Sequence, residues 1–452
     1  MQFGRRGFIR TGSFAAAFLG LRTLAHAQPE GRIIEPYGPL IKDPAGLLDL
    51  PEGFTYNLLS KEGDEMSDGF RVPGAFDGMA VFPGADGKII LIRNHELGPD
   101  GFGPGDLKDT AKAVCYDPGE ADEPPHIGGT TTIVFNPLTG VVESQFLSLT
   151  GTHRNCAGGA MPWGSWITCE EPPELTSPRG LKHGYCFEVK ATATPELQKP
   201  VPLRALGRFN HEAVALDPRT GILYLTEDRN DGLLYRFLPD KATDFSSGRL
   251  QALKVTGTPS VDLRNYETIQ KADLAQEGRP MKVEWIDLED IDSPNDDLRI
   301  RGAQTGAAVF ARGEGIHFHE GIAYICCTDG GPQRRGQIFK LSPSARPGET
   351  EELELFIEAT ANDLLTNGDN LCVAPWGDLV VCEDFAIEDA GPHPHLRGVT
   401  PQGQIYTIAK NAKSAVEFAG SCFNEDGEWL FVNVQSPGHT FAITGPWAKR
   451  KG

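Results

Sequence analysis

The sequence predicts an all-β protein, a six-bladed β-propeller interrupted by loop and helix insertions. Three observations carry that expectation: a hairpin layout repeated along the chain, a third strand following several of the hairpins, and plentiful Gly (53) and Pro (34). The hairpins are residues 77–96 (DGMAVFPGADGKIILIRNHE), 156–171 (CAGGAMPWGSWITCEE), 212–228 (EAVALDPRTGILYLTED), 314–329 (EGIHFHEGIAYICCTD), 370–384 (NLCVAPWGDLVVCED) and 420–433 (GSCFNEDGEWLFVN). In each, an apolar strand runs into a turn, and a second apolar strand returns to a polar or acidic end. A hairpin brings the chain back to the sheet edge where it began, so both ends of each segment share one edge.

The individual elements follow from period-2 patterning. Residues 88–92, 131–135, 222–225, 233–237, 322–326, 337–341 and 404–408 are strand-like runs bounded by Gly, Pro, Asn or Asp. GYCFEV at 184–189, GLLYRF at 232–237, GQIFKL at 336–341 and GQIYTI at 403–408 repeat one theme, the outer part of a propeller blade. Six blades of about 40–45 residues leave length for insertions, placed at 97–129, 240–300 and 386–398. Helix is expected to be scarce, with 263–276 in the second insertion as the best candidate.

Radial stacking of six such hairpins gathers Asp77, Cys156, Glu212, Glu314 and Asn370 around one axis. A single Glu at a strand start is ordinarily a solvated loop residue, and a single Cys there is ordinarily packing. Recurrence at matching points favours a cage for cations, because repeats built only for packing would put small or apolar residues at a crowded axis. Carboxylate and amide oxygens suit hard cations such as Ca²⁺ or Mg²⁺. A thiolate among them calls for a softer transition metal, iron or zinc, so Cys156 implies two kinds of ion. His95, His211, His317 and His319 are expected to pack or orient rather than to bind metal.

The chain carries a formal charge of −20. Such a surface repels polyanions, which argues against nucleic-acid binding and against docking on anionic lipid. The first 27 residues hold four arginines and no acid. Arg5-Arg6-Gly7-Phe8-Ile9-Arg10, the apolar run 13–21 and Ala25-His26-Ala27 have the layout of a twin-arginine export signal. The expected organisation is therefore a signal peptide at 1–27 and one catalytic propeller at 28–452, recognised by the twin-arginine export machinery and delivered to the periplasm or outside the cell. No later stretch has the roughly 18 apolar residues of a membrane span. Nine cysteines cannot all pair internally. Cys115 with Cys186, or Cys372 with Cys422, are conceivable bridges, while Cys169, Cys326, Cys327 and Cys382 sit in apolar runs as small hydrophobes.

Several motifs stand out: Arg93-Asn94-His95-Glu96, NCAGG at 155–159, PWGSWITCEE at 162–171, NHEAVALDPRTG at 210–221, EGIHF at 314–318, TDGG at 328–331 and DNLCVAPWGDLVVCED at 369–384. Together and in this order they resemble the PhoX-type alkaline phosphatases over most of the mature chain. The resemblance implies a monomeric, exported β-propeller that hydrolyses small phosphate esters with a cluster of iron (Fe³⁺) and calcium (Ca²⁺). It implies Cys156, Glu212 and Glu314 as iron ligands, and Asn94 and Glu96 with further carboxylates as calcium ligands. The expected metal set is thus Asn94, Glu96, Cys156, Glu170, Glu171, Glu212, Glu314, Asp369, Asn370 and Glu383. Arg312 is the expected catalytic contact to phosphate, with Arg93 as a second substrate-binding arginine. Many members of that family are longer, so insertions around the pocket are shortened here.

Two other functions compete. A calcium-dependent propeller lactonase would also use axial Asn, Asp and Glu, but a calcium-only site gains nothing from Cys156. A non-catalytic calcium-stabilised propeller would close its ions off from ligand. Serine acyl transfer has no support, because the chain has no GxSxG elbow.

Overall fold

The computed structural model describes residues 32–107, 109–119, 124–171, 173, 177, 180–269, 275–346, 348–384 and 393–449. The expected signal segment at 1–27 lies outside them. The chain opens with β1 (Leu40–Ile41), β2 (Leu48–Pro51) and β3 (Thr55–Lys61). Then come β4 (Phe76–Pro83), β5 (Ile89–His95), the short α1 (Asp109–Lys112), β6 (Gly128–Asn136) and β7 (Val141–Thr152). Next are β8 (Asn155–Met161), β9 (Ser165–Glu170) and β10 (Cys186–Lys190). A longer run follows: β11 (His211–Leu216), β12 (Leu223–Glu227), β13 (Leu234–Lys241), β14 (Asp244–Val255), β15 (Pro280–Asp287) and α2 (Leu298–Gln304). It continues with β16 (Gly313–His319), β17 (Ile322–Cys327), β18 (Gln337–Ser342) and β19 (Glu351–Glu358). The chain ends in β20 (Gly368–Val373), β21 (Leu379–Glu383), β22 (His395–Val399), β23 (Ile405–Asn411), β24 (Phe418–Phe423), β25 (Leu430–Val434) and β26 (His439–Thr444).

These strands form an all-β, propeller-like fold of antiparallel sheets. β4 to β7 make one sheet and β8 to β10 another; β15 bridges the outer edges of β11–β14 and β16–β19 into a nine-stranded sheet. β20 to β23 continue into β2 and β1, and β24 to β26 are completed by β3. The inner strands touch in a closed ring: β4 on β8, β8 on β11, β11 on β16, β16 on β20, β20 on β24, and β24 back on β4. Each sheet is therefore covered on both faces, which explains continuous apolar runs such as IILI in β5. Met79, Leu91 and Phe135 pack toward Phe431, while Ala80 and Ile92 pack toward Trp166 and Phe187. Burying each large apolar side chain contributes about 1.5–3 kcal/mol. Close approach at the axis selects small residues: a Cβ on Gly159 would sit 2.0 Å from the Val214 carbonyl oxygen.

Two expectations fail. The described part of 263–276 is not helical, and the 240–300 insertion contains β14 and β15. The order of the chain hides β15 because its partner β19 comes from the next hairpin unit. All nine cysteines are free; Cys169 Sγ and Cys186 Sγ face each other at 3.5 Å across β9 and β10.

Candidate metal centre

Each inner strand carries a β-bulge at its start. The register shifts lie between Phe76 and Met79, Asn155 and Gly158, His211 and Val214, Gly313 and Ile316, Gly368 and Leu371, and Ala419 and Cys422. Two residues there oppose one partner, so the strand bends and its side chain is re-aimed. The first bulge residue is Asp77, Cys156, Glu212, Glu314, Asp369 and Gly420 in turn. Gly420 has φ +60°, and a Cβ on it would lie 2.5 Å from the Asp77 carbonyl oxygen, so that point of the ring is backbone only. The residue preceding the strand is left-handed at Ala75 (φ 46°), Arg154 (48°), Arg312 (48°) and Asn367 (44°). For residues other than Gly this backbone costs energy and is retained where the surroundings demand it. At Arg154 and Arg312 it directs a guanidinium into the acidic ring.

Ligand-type atoms cluster there in overlapping triads: Asp77, Glu96 and Cys156; Cys156, Glu171 and Glu212; and Glu212, Glu314 and Asp369, each within 4.8 Å. Cys156 Sγ lies 3.7 Å from Asp77 Oδ2. Arg312 forks onto Asp228 (Nε–Oδ1 2.8 Å, Nη2–Oδ2 3.1 Å) and pairs with Glu314 (2.7 Å) and Asp384 (3.5 Å). Arg154 pairs with Glu96 (2.8 Å) and with Glu171. These two arginines do not satisfy the ring. Glu212 is wholly buried, and no nitrogen or hydroxyl donor reaches either of its oxygens; only the Cys156 thiol is alongside. Burial first, then neighbouring carboxylates, push Asp77, Glu171, Glu212 and Glu314 and the Cys156 thiol well above their ordinary values. The same causes push Asp369 up to about 8. An orphaned buried carboxylate is costly, and a bound cation removes that cost. The mixed carboxylate and thiol donors therefore fit metal ions.

Among the expected residues, Glu96, Cys156, Glu171, Glu212, Glu314, Asp369 and Arg312 come together. The others do not, each for a visible reason. Glu170 points the other way from Glu171, as alternation along a strand requires. It accepts from His183 Nδ1 (2.7 Å) and from the backbone N–H of His153 (2.9 Å) and Gly184 (2.9 Å). Glu383 is held by Arg397 Nε and the His395 N–H, both at 2.8 Å. Asn94 donates to the Cys156 and Ala157 carbonyls and accepts from Trp166 and Thr168, so it latches neighbouring strands and has no oxygen to spare. Asn370 is the second bulge residue; its Oδ1 accepts from the Gly420 N–H and its amide donates to Asp369. Arg93 is fully buried on Phe76, bonded to Ser60, Thr131 and Thr440, away from the ring. His95 and His211 likewise bond to Gly74 and Gly207 carbonyls.

The expected ligand set omits Arg154, Asp228 and Asp384, although Asp228 and Asp384 end two of the hairpins whose ends share the axial edge. Arg154 had a signal: it precedes Cys156 by two residues, as Arg312 precedes Glu314. Asp228 and Asp384 close their hairpins one residue after Glu227 and Glu383, as Glu171 follows Glu170. Behind the ring, a cavity of about 220 Å³ continues along the axis, lined by the far ends of the inner strands at Ala80, Ala160, Ala215, Phe318, Val373 and Phe423. Among the described residues no carboxylate lines it, so the metal-binding chemistry belongs to the acidic end.

Comparison with known proteins follows the same geometry. The family model "Alkaline phosphatase PhoX" matches residues 35–137 and 136–438. No curated protein matches. Among solved structures, Pseudomonas fluorescens PhoX in complex with vanadate, a transition state analogue, is similar over 93% of this chain and 99% of its own, with 17% identity and a TM-score of 0.66. A gluconolactonase of Xanthomonas campestris is 12% identical over 91% of this chain and 99% of its own, with a TM-score of 0.37. The first likeness establishes a shared fold, and the second carries no argument. With the family model spanning nearly the whole described chain, the protein belongs to the alkaline phosphatase PhoX family and is a phosphatase.

Proposed function

We propose that the chain is an exported, monomeric, six-bladed propeller that hydrolyses phosphate monoesters, and diesters as a secondary activity, releasing inorganic phosphate. The observation that carries the site assignment is the Glu212 carboxylate, buried without a donor among further acids. Cys156, Glu212 and Glu314 would hold iron, and Glu96, Glu171, Asp77 and Asp369 would serve calcium. Bound, these ions would bind phosphate oxygens and offset their charge. The rest is done by the chain itself. Arg312 and Arg154 each spend the Nε–Nη2 edge on a carboxylate, Asp228 and Glu96 respectively, and would meet phosphate through Nη1. As charge grows on the equatorial oxygens, such guanidiniums meet it without reorganising. Both are already aimed by left-handed backbone and by their carboxylate partners, so they are held in place before substrate arrives.

The twin-arginine sequence at 5–10 supports export of the folded, metal-loaded chain to the periplasm or beyond. Among the described residues no helix is long and apolar enough to cross a membrane. The test is hydrolysis of p-nitrophenyl phosphate before and after chelation. Loss of turnover on chelation, restored by iron with calcium, is expected; full turnover in protein shown by elemental analysis to be free of both metals would refute the proposal.

A further inference from the structure

We propose that Asp117, His126 and His183 form a second cation site, for one zinc-type divalent transition metal, separate from the axial ring. Asp117 and His126 come from the connection between β5 and β6, and His183 from the connection between β9 and β10. Their ligand atoms lie within 4.8 Å of one another, and Asp117 and His183 are fully buried.

Counting protons makes the case. A neutral imidazole has one N–H and one lone pair. His183 Nδ1 is 2.7 Å from Glu170 Oε1, which only accepts when ionised, so the N–H sits there. That leaves the Nε2 lone pair facing Asp117 Oδ2 at 3.4 Å. His126 Nδ1 is 2.9 Å from His153 Nδ1, and one of the two must donate. With His126 as donor, its Nε2 lone pair also faces Asp117 Oδ2, at 3.9 Å. Two lone pairs opposing a carboxylate repel unless a cation lies between them. A proton alone fits less well, since an imidazolium–carboxylate bond closes to about 2.7–2.9 Å. Tetrahedral ligands at about 2.0–2.1 Å from a metal sit roughly 3.3–3.4 Å apart, near the spacing seen. Two imidazoles with one carboxylate suit zinc rather than calcium, which prefers oxygen. Glu170 and His153 then act as positioning residues that fix the tautomers of the metal-binding imidazoles. The site would staple two connections together directly beside Arg154 and Glu171, each one residue along from His153 and Glu170.

Crystals of the full chain soaked in zinc chloride and measured on both sides of the zinc absorption edge test this. An anomalous peak about 2.0–2.1 Å from His126 Nε2, His183 Nε2 and Asp117 Oδ2 is expected. In solution, Asp117→Asn and His183→Gln should each lose one zinc per chain while iron and calcium stay unchanged. Glu170→Gln should weaken zinc binding by about 10–100-fold. Absence of the peak, with His183 bonded directly to Asp117, would overturn the proposal, as would unchanged zinc content in both variants. Should either variant fail to fold, the anomalous map of the unaltered protein decides.

Discussion

Glu212 and Glu383 are both wholly buried carboxylates at ends of inner hairpins, yet their surroundings are opposite. Glu383 ends a second strand and is clasped by Arg397, His395 and backbone N–H groups. Burial alone would raise its carboxyl, but Arg397 and His395 hold it below the ordinary range. Glu227 and Glu170 occupy the same place in their hairpins and are likewise bonded to the next strand. Glu212 begins a first strand, sits in a bulge, and meets more acid. The comparison separates two uses of one residue type. A clasped carboxylate ties strands together, whereas an orphaned one marks where a cation belongs.

Exchanging the carboxylates for amides should split these uses. Glu212→Gln is expected to lower phosphatase turnover by at least about 10³-fold, through loss of metal. The metal-free variant should melt no lower than the metal-free parent, because a buried orphan charge is gone. Glu383→Gln should do the reverse: metal content persists, while stability falls by about 3–5 kcal/mol as Arg397 is left buried and unpaired. Denaturant titration with elemental analysis of both variants checks the pair. Arg312→Ala should cost about 10²-fold in kcat, and Arg154→Ala somewhat less, since Arg154 is the more exposed of the two. Arg93→Lys should leave KM unchanged, its guanidinium being bonded to Thr131 of its own sheet and across to Ser60 and Thr440 of the last sheet, away from the ring.

A smaller effect should appear in the pH dependence of the metal-free protein. Asp369 moves from an ordinary 3.8 up to about 8 on folding. Between those values the folded chain binds more protons than the unfolded one, so this contribution to stability is lost as pH rises through the window. Glu383 has the opposite sign: its depressed carboxyl contributes above the ordinary value of 4.5 and loses that contribution as pH falls. Metal binding displaces protons from the ring and strengthens with pH. Melting temperatures with and without chelator should therefore diverge as pH increases; parallel curves would contradict this.

Much of the fold was legible because each hairpin announces itself by two apolar runs and a turn. Asp77, Cys156, Glu212 and Glu314 were placed correctly, since each opens a strand next to an obvious apolar run. The repeat pattern puts Asn370 at the fifth axial point, with Asp369 beside it in the expected set; the structure puts Asp369 there, because a bulge shifts the phase by one residue and alternation cannot reveal where. The same blindness made Glu170 and Glu171 look equivalent, although neighbours on a strand face opposite ways. Closure of the last sheet by β3 was out of reach, because that contact joins the two ends of the chain. Asp117 and His126 share the β5–β6 connection but His183 lies in the β9–β10 connection, so no spacing in the sequence could bring it to them.

The central claim is that the bulged first residues of the inner strands hold metal. Diffraction from the purified, active protein at the iron absorption edge tests it most directly. An anomalous peak bonded to Cys156 Sγ and to the carboxylates of Glu212 and Glu314 is predicted. An active enzyme with no iron peak at those residues would contradict it.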